Sequence, residues 1–265
     1  MISPSQNALK LEIAVQDVEG ALAAQRAGAD RLELCVALGS TGGLTPSIGL
    51  VSEVLAALAA DAAATAREGG PVGVCVLVRP AEGGFVYDDA AVRVTVADVA
   101  ALAALGANGG QRVEGVVVGA LLREGGVDVE AMRRIVAAAG DLDVVFHRAI
   151  DVVSSPEALI EDAVSVGCVR VLTSGGAAAA GDGVEVLSRL VAAAGGRTQI
   201  MAGGGVSIED IPALAEAGVD AIHLSAKGHR DSDPTGPGGG APQVLFTDAG
   251  VVAAARAAVD AASTF

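Results

Sequence analysis

The sequence has 265 residues, 52% of them hydrophobic and only 2% aromatic, with 36 glycines, no Trp and a formal net charge of −15. That length suits one barrel domain and buries enough apolar surface to need neither disulfide nor metal staples. So acidic a surface repels phosphate backbones and anionic head groups, which excludes nucleic acid and membrane as expected partners, although a positive cleft can still hold a small anion.

Short runs rich in Val, Leu and Ile alternate with longer Ala- and Leu-rich segments whose apolar residues recur at helical spacing. In chain order, a strand at 9–14 precedes a helix at 18–27, with Asp17 as its N-cap. Strand 31–35 precedes helix 47–60, and strand 73–79 precedes helix 92–105. Strand 114–119 leads to helix 129–139 behind Asp128, and strand 143–147 leads to helix 156–166, with Ser155 as cap and Pro156 in the first turn. Strand 170–173 precedes helix 184–193, strand 198–203 precedes helix 208–217 behind Ser207, and strand 221–225 is followed by a last helix at 249–262. Gly28, Gly106, Gly167 and Gly218 stand just past helix ends, where a left-handed residue stops the turn. Eight βα units of this kind predict an α/β fold, a single (β/α)₈ TIM barrel over 8–228. Segment 229–242, rich in Asp, Pro and Gly, is expected to be a flexible loop after strand eight, and 248–263 a C-terminal helix.

Ligands of such barrels bind at the C-terminal strand ends, where inward side chains alternate with outward ones. Glu12, Glu33, Arg79, His147, Thr173, His223 and Ser225 are the polar side chains expected there. A buried carboxylate needs a partner, and Arg79 and Arg148 are the expected ones for Glu12 and Glu33. The alternative is a structural ion network closing the mouth. His147, next to Arg148, suits a general acid or base titrating near neutrality beside a glutamate, whereas His223 reads as structural. The run from Met201 through Gly203, Gly204 and Gly205 to Val206 opens a helix, and exposed backbone amides in such a turn cradle anions. Ser225 in the strand-eight turn and Thr173 and Ser174 after strand six extend this candidate phosphate cradle.

Cys35, Cys75 and Cys168 are far apart and form neither a CxxC pair nor a disulfide framework, as expected in a reducing cytosol. Met1 to Leu11 lacks the basic-then-apolar pattern of a signal peptide, and no charge-free apolar run reaches the ~20 residues of a membrane span. A cytoplasmic location is the expectation. Cys35, at the end of a strand, is the one candidate soft ligand, suited to Cu(I).

Ordered motifs along the chain resemble the CutC family. They are Leu11-Glu12-Ile13, the run from Gly28 to Cys35, Gly42-Gly43-Leu44-Thr45-Pro46-Ser47, Val78-Arg79-Pro80, Gly83-Gly84-Phe85-Val86-Tyr87, Phe146-His147-Arg148-Ala149-Ile150-Asp151, Val171-Leu172-Thr173-Ser174-Gly175 and the Met201 to Val206 run. The resemblance covers about residues 9 to 228. It implies a TIM barrel, a homodimer or larger homo-oligomer, a cytoplasmic protein and a role in copper homeostasis. It also implies a pair of cysteine copper ligands at the ends of strands one and two; the second is Cys35, whereas the first position holds Ala14. Two functional expectations stand side by side. One is copper binding through Cys35; the other is an enzyme acting on a small anionic or phosphorylated metabolite, with His147, Glu12 and Glu33 as acid–base groups. A barrel with a purely structural role is the third.

Overall fold

Each Val/Leu-rich run forms a strand, and the segments between them coil into helices, in the computed structural model, which describes residues 8–105, 111–232 and 243–263. The strands are β1 (Lys10–Val15), β2 (Arg31–Leu34), β3 (Gly73–Leu77), β4 (Gly115–Val118), β5 (Asp143–Phe146), β6 (Arg170–Thr173), β7 (Gln199–Gly203) and β8 (Ala221–Leu224). They pair in parallel in that order, and β8 closes on β1 to complete the barrel. The helices are α1 (Val18–Arg26), a single turn α2 (Leu38–Thr41), α3 (Ile48–Ala64), α4 (Asp89–Ala103), α5 (Val129–Ala139), α6 (Pro156–Val166), α7 (Val184–Ala194), α8 (Ile211–Glu216) and α9 (Ala249–Ala262).

The helix starts follow from capping chemistry. Asp17 and Asp128 accept hydrogen bonds from the backbone N–H of Gly20 and Ala131, which satisfies donors the first turn leaves orphaned. Ser155 stands before Pro156 without a side-chain cap bond. The segment after Ser207 begins as a 3₁₀ turn, Ile208–Asp210, before α8. Gly28, Gly167 and Gly218 take φ of +97°, +92° and +85°, the left-handed region expected at these joins. Gly106 lies outside the described residues.

Strand parity divides the apolar core in two. One set of strand side chains packs outward against the helices and forms the large cluster that includes Leu11, Ile13, Leu32, Leu34, Val116 and Ile222. The opposite parity fills the barrel itself, where Cys75, Val117, Val145, Leu172, Met201 and Ala221 make a small apolar plug. Other interior positions, Glu12, Arg31, Glu33 and His223, carry titratable or charged groups. Register puts Glu12 level with Arg31 of β2 on one side and His223 of β8 on the other, and Ala14 level with Glu33. Three adjacent strands thus bring an acid, a guanidinium and an imidazole into one row inside the barrel.

The loop expected at 229–242 is corrected in part. Its first residues belong to β9 (Lys227–Asp231), which pairs antiparallel with β10 (Gln243–Thr247) in a two-stranded ribbon. Residues 233–242 lie outside the described residues. β9 carries almost no apolar side chains, so its sequence reads as a loop; the packing surface comes from β10. Phe246 covers Gly228 and lies 5.9 Å from the Arg230 guanidinium, and Leu245 packs on Gly39. The ribbon is tied to α1 by the Arg230–Glu19 ion pair at 3.1 Å. It thereby stands at the rim of the barrel's C-terminal end. Among the described residues no helix is long and apolar enough to cross a membrane.

Candidate active site

The C-terminal ends of the strands open into a cavity of about 580 Å³. Glu33, Arg79, His147, Arg148, His223 and Lys227 supply its polar wall, and Leu38, Leu77, Phe85, Leu172 and Leu245 much of its apolar wall. Glu12 lies beneath, fully buried.

A carboxylate at that depth costs several kcal/mol unless it is paired and hydrogen-bonded. Glu12 is both. Arg31 donates to it through Nε, and His223 Nδ1 lies 2.9 Å from its other oxygen. Burial alone would raise the Glu12 pKa, but the His223 hydrogen bond and the Arg31 charge outweigh it and hold the carboxyl at about 2. The expected partners, Arg79 and Arg148, are bound elsewhere, and Arg31 takes their place. A charge at the first residue of a strand reads as surface in a sequence; the register turns it inward.

His223, expected to be structural, is the centre of this arrangement. With Nδ1 bound to Glu12, its Nε2 is left toward Glu33 Oε2, 3.7 Å away, at the floor of the cavity. Burial lowers the His223 pKa, but the Glu33 and Glu12 charges and the Glu12 hydrogen bond raise it further, so the net shift is upward. Burial, with Glu12 acting in the same sense and His223 opposing, pushes Glu33 up to about 7. Glu33, with its pKa at about 7, thus faces an imidazole whose own pKa is raised, 3.7 Å away, over a Glu12 held ionised. This is an oriented imidazole backed by a carboxylate, the arrangement used in general acid–base catalysis.

His147 differs from its expectation. Among the described residues no carboxylate hydrogen-bonds to it. Its Nδ1 accepts from the backbone N–H of Ala149 at 3.3 Å, and its ring lies 4.8 Å from that of Phe85. Burial, together with the nearby Arg79 charge, lowers its pKa to about 4, so at neutral pH it is an uncharged imidazole with the proton on Nε2.

The two expected anion-binding arginines are held in different ways. Arg79 Nη1 donates to the carbonyls of Thr41 (2.7 Å) and Gly43 (3.2 Å), and Nη2 to that of Gly83 (2.6 Å). No carboxylate neutralises it among the described residues. Arg148 donates through Nε to Asp151 at 2.8 Å and through Nη2 to Ser174 Oγ at 3.2 Å, with 43% of its side chain exposed.

The glycine-rich turns are brought to the same rim, but only part of the expected cradle is open. Thr173 points away from the cavity and donates its hydroxyl to Asp151, which also accepts from the backbone N–H of Ser174 and Gly176. The turn after β6 is thus an anion receptor already filled by the protein's own carboxylate. Gly203 gives room rather than donors: a Cβ there would meet Leu172 at 2.4 Å and crowd His223 at 3.1 Å. The start of the helical segment beyond Ser207 is occupied by the Asp210 carboxylate, which accepts from the backbone and hydroxyl of Ser207. Gly204, Gly205 and Ser225 do line the cavity, and Lys227 of the same strand-eight turn joins them.

Cys35 does not fit a copper ligand. Its thiol is fully buried, capped by Gly43, and its Sγ faces the carbonyl of Val15 at 3.8 Å. Burial and the Glu33 charge raise its pKa, whereas a metal needs the thiolate. Ala14 lines the cavity where the resemblance places the other cysteine. Among the described residues no three His, Cys, Asp or Glu side chains are grouped to hold a metal.

Residues 9–228 match the family described as the CutC family. A relative named as a family protein CutC from Xanthomonas campestris pv. campestris (strain B100) is 44% identical over 241 residues, which cover 91% of this chain and 90% of the relative. The crystal structure of a CutC protein from Streptococcus agalactiae, which carries the copper-homeostasis name, is similar with a TM-score of 0.69 and 28% identity, covering 81% of this chain and 97% of that one. Thiamine phosphate pyrophosphorylase from Pyrococcus furiosus, at TM-score 0.57 and 15% identity over 97% of this chain and 98% of that one, shares the barrel fold.

Proposed function

This chain belongs to the CutC family, and we propose that its barrel is an enzyme that moves a proton on a small anionic metabolite. The observation that carries this is the Glu12–His223–Glu33 row, with His223 Nδ1 fixed at 2.9 Å on a buried carboxylate and Nε2 turned to Glu33 at the cavity floor. Glu12 orients the imidazole and stabilises its cation; His223 and Glu33 take and return the proton. Arg148, Lys227, Ser225 and the turn at Gly204 and Gly205 offer the substrate's anionic group a positive rim on an otherwise acidic protein. A purely structural row does not need an imidazole nitrogen or a half-ionised carboxyl at the wall of a cavity.

A copper role through Cys35 has no comparable support, since the thiol is sealed and protonated.

The test uses the intact protein in D₂O with a panel of small phosphorylated and carboxylated metabolites, followed by ¹H NMR. Loss of a substrate C–H signal is expected with at least one compound. General acid–base catalysis contributes ~10²–10⁴-fold, so His223→Gln should slow that exchange by about this factor. Exchange that proceeds equally in His223→Gln, or no exchange across the panel, would overturn the proposal.

A further inference from the structure

Two side chains that line the cavity each carry a buried donor with no acceptor among the described residues. Arg79 Nε and His147 Nε2 are both buried without a hydrogen-bond partner among the described residues. Their side chains are held firmly by everything else they touch: Arg79 by the carbonyls of Thr41, Gly43 and Gly83, and His147 by the backbone N–H of Ala149. Both also lie against one ring, with the Arg79 guanidinium 5.2 Å from the Phe85 centroid and the His147 ring 4.8 Å from it. Arg79 is 8% exposed and His147 4%, and both line the same cavity as His223 and Glu33. A buried donor left without an acceptor costs ~1–3 kcal/mol, so two of them on side chains that flank one ring are an expense that a bound oxygen would relieve.

We propose that Arg79 and His147 form an oxyanion subsite, and that the substrate is a small carbonyl compound bearing a separate phosphate or carboxylate, whose carbonyl oxygen rests between these two donors. This rests on the acid–base reading of His223 and Glu33 and gives it a reaction class, proton transfer at the carbon next to a carbonyl. The His223–Glu33 pair takes the proton from that carbon. The C–H electron pair becomes the C=C bond of the enolate, and the carbonyl π pair moves to oxygen. The new charge meets the Arg79 cation and the His147 N–H, and return of the proton to carbon or oxygen completes the step. An uncharged imidazole is the right donor here, because it stabilises the enolate without surrendering its proton to it. The second anionic group lies at the part of the rim formed by Arg148, Gly204 and Gly205.

Oxalate, a planar mimic of an enolate flanked by a carboxylate, is the probe, and inorganic phosphate is the control for the rim at Arg148, Gly204 and Gly205. Calorimetric titration of the wild type is compared with Arg79→Lys, which keeps the charge and removes Nε, and with His147→Gln. Nitrogen-15 NMR of the histidines in the wild type is recorded with and without oxalate, so that the result does not depend on a variant's folding. The expected result is a shift of the His147 Nε2 resonance on adding oxalate, a loss of oxalate affinity of tenfold or more in both variants, and phosphate affinity unchanged within twofold. An unmoved His147 resonance, oxalate affinity that both variants retain, or equal loss of both probes would overturn the subsite. Failure of the acid–base reading shows separately, as absent deuterium exchange in a protein whose oxalate binding behaves as stated.

Discussion

His223 Nδ1 and Glu12 Oε1 lie 2.9 Å apart across adjacent strands, although 211 residues separate them in the chain. The contact is a product of barrel closure: only where β8 returns to β1 do these two positions fall level. Its consequence is chemical, because it decides which face of the imidazole is left for the cavity.

Replacing Glu12 by Gln removes the anion that Arg31 and His223 share. With Arg31 and His223 deprived of the buried carboxylate that both contact, stability at neutral pH should fall by ~3–5 kcal/mol, measured by urea unfolding. The His223 pKa should drop at the same time, read by NMR, because one of the charges that raises it is gone. An unchanged His223 titration would show that Glu12 does not set its protonation.

His147 should make the protein acid-sensitive in a defined window. Its pKa falls from 6.5 to about 4 on folding, so between these values the unfolded chain binds a proton that the folded one does not. A group with a depressed folded pKa contributes stability above its unfolded value and loses it as pH falls through the folded one. The expected result is a stability that declines as pH is lowered from about 6.5 to about 4, with a shallower decline in His147→Gln. Equal slopes in both proteins, from urea unfolding across that range, would contradict the assignment.

Cys35 is expected to be inert. Burial and Glu33 keep its thiol protonated at neutral pH, so a thiol reagent should not label it in the folded protein, whereas Cys35, Cys75 and Cys168, all buried, should react after unfolding. Titration of the reduced protein with Cu(I) against a competing chelator should give the same result for wild type and Cys35→Ala. Copper affinity lost in that variant would restore the thiolate as a ligand.

Gly204 carries φ of +99°, and a Cβ there would lie 2.6 Å from the Arg148 guanidinium carbon. Gly204→Ala should therefore cost ~1–2 kcal/mol in backbone strain and push Arg148 off the rim. Sulfate, whose charge does not change near neutrality, should bind at least fivefold more weakly to the variant by calorimetry. Equal sulfate affinity would place the anion elsewhere.

Much of the barrel is legible in the sequence because parallel strands buried on both faces must be short apolar runs, and the glycines and caps between them mark where helices stop and start. Glu12 and Glu33 stand out for the same reason, as charges inside such runs. What sequence does not carry is height. Alternation marks Glu12 and Glu33 as inward, but only the register between β2, β1 and β8 places Arg31 in one row with Glu12 and His223. Without it Arg31 reads as a surface charge, Arg79 and Arg148 look like the natural partners, and His147 takes the role that His223 holds. The occupied turn after β6 escapes detection for a similar reason, since Asp151 reaches it from the preceding unit. The ribbon is hidden because β9 has no apolar alternation and owes its order to β10.

Two side chains of the cavity wall, Leu245 and Val251, come from beyond residue 228, where the match to the family model ends. The acid–base row is thus built from common material, while part of the chamber above it is furnished by the stretch that follows. A change in that stretch alone would reshape the chamber with Glu12, His223 and Glu33 untouched, so what the cavity admits and what its floor can do are set by separate parts of the chain.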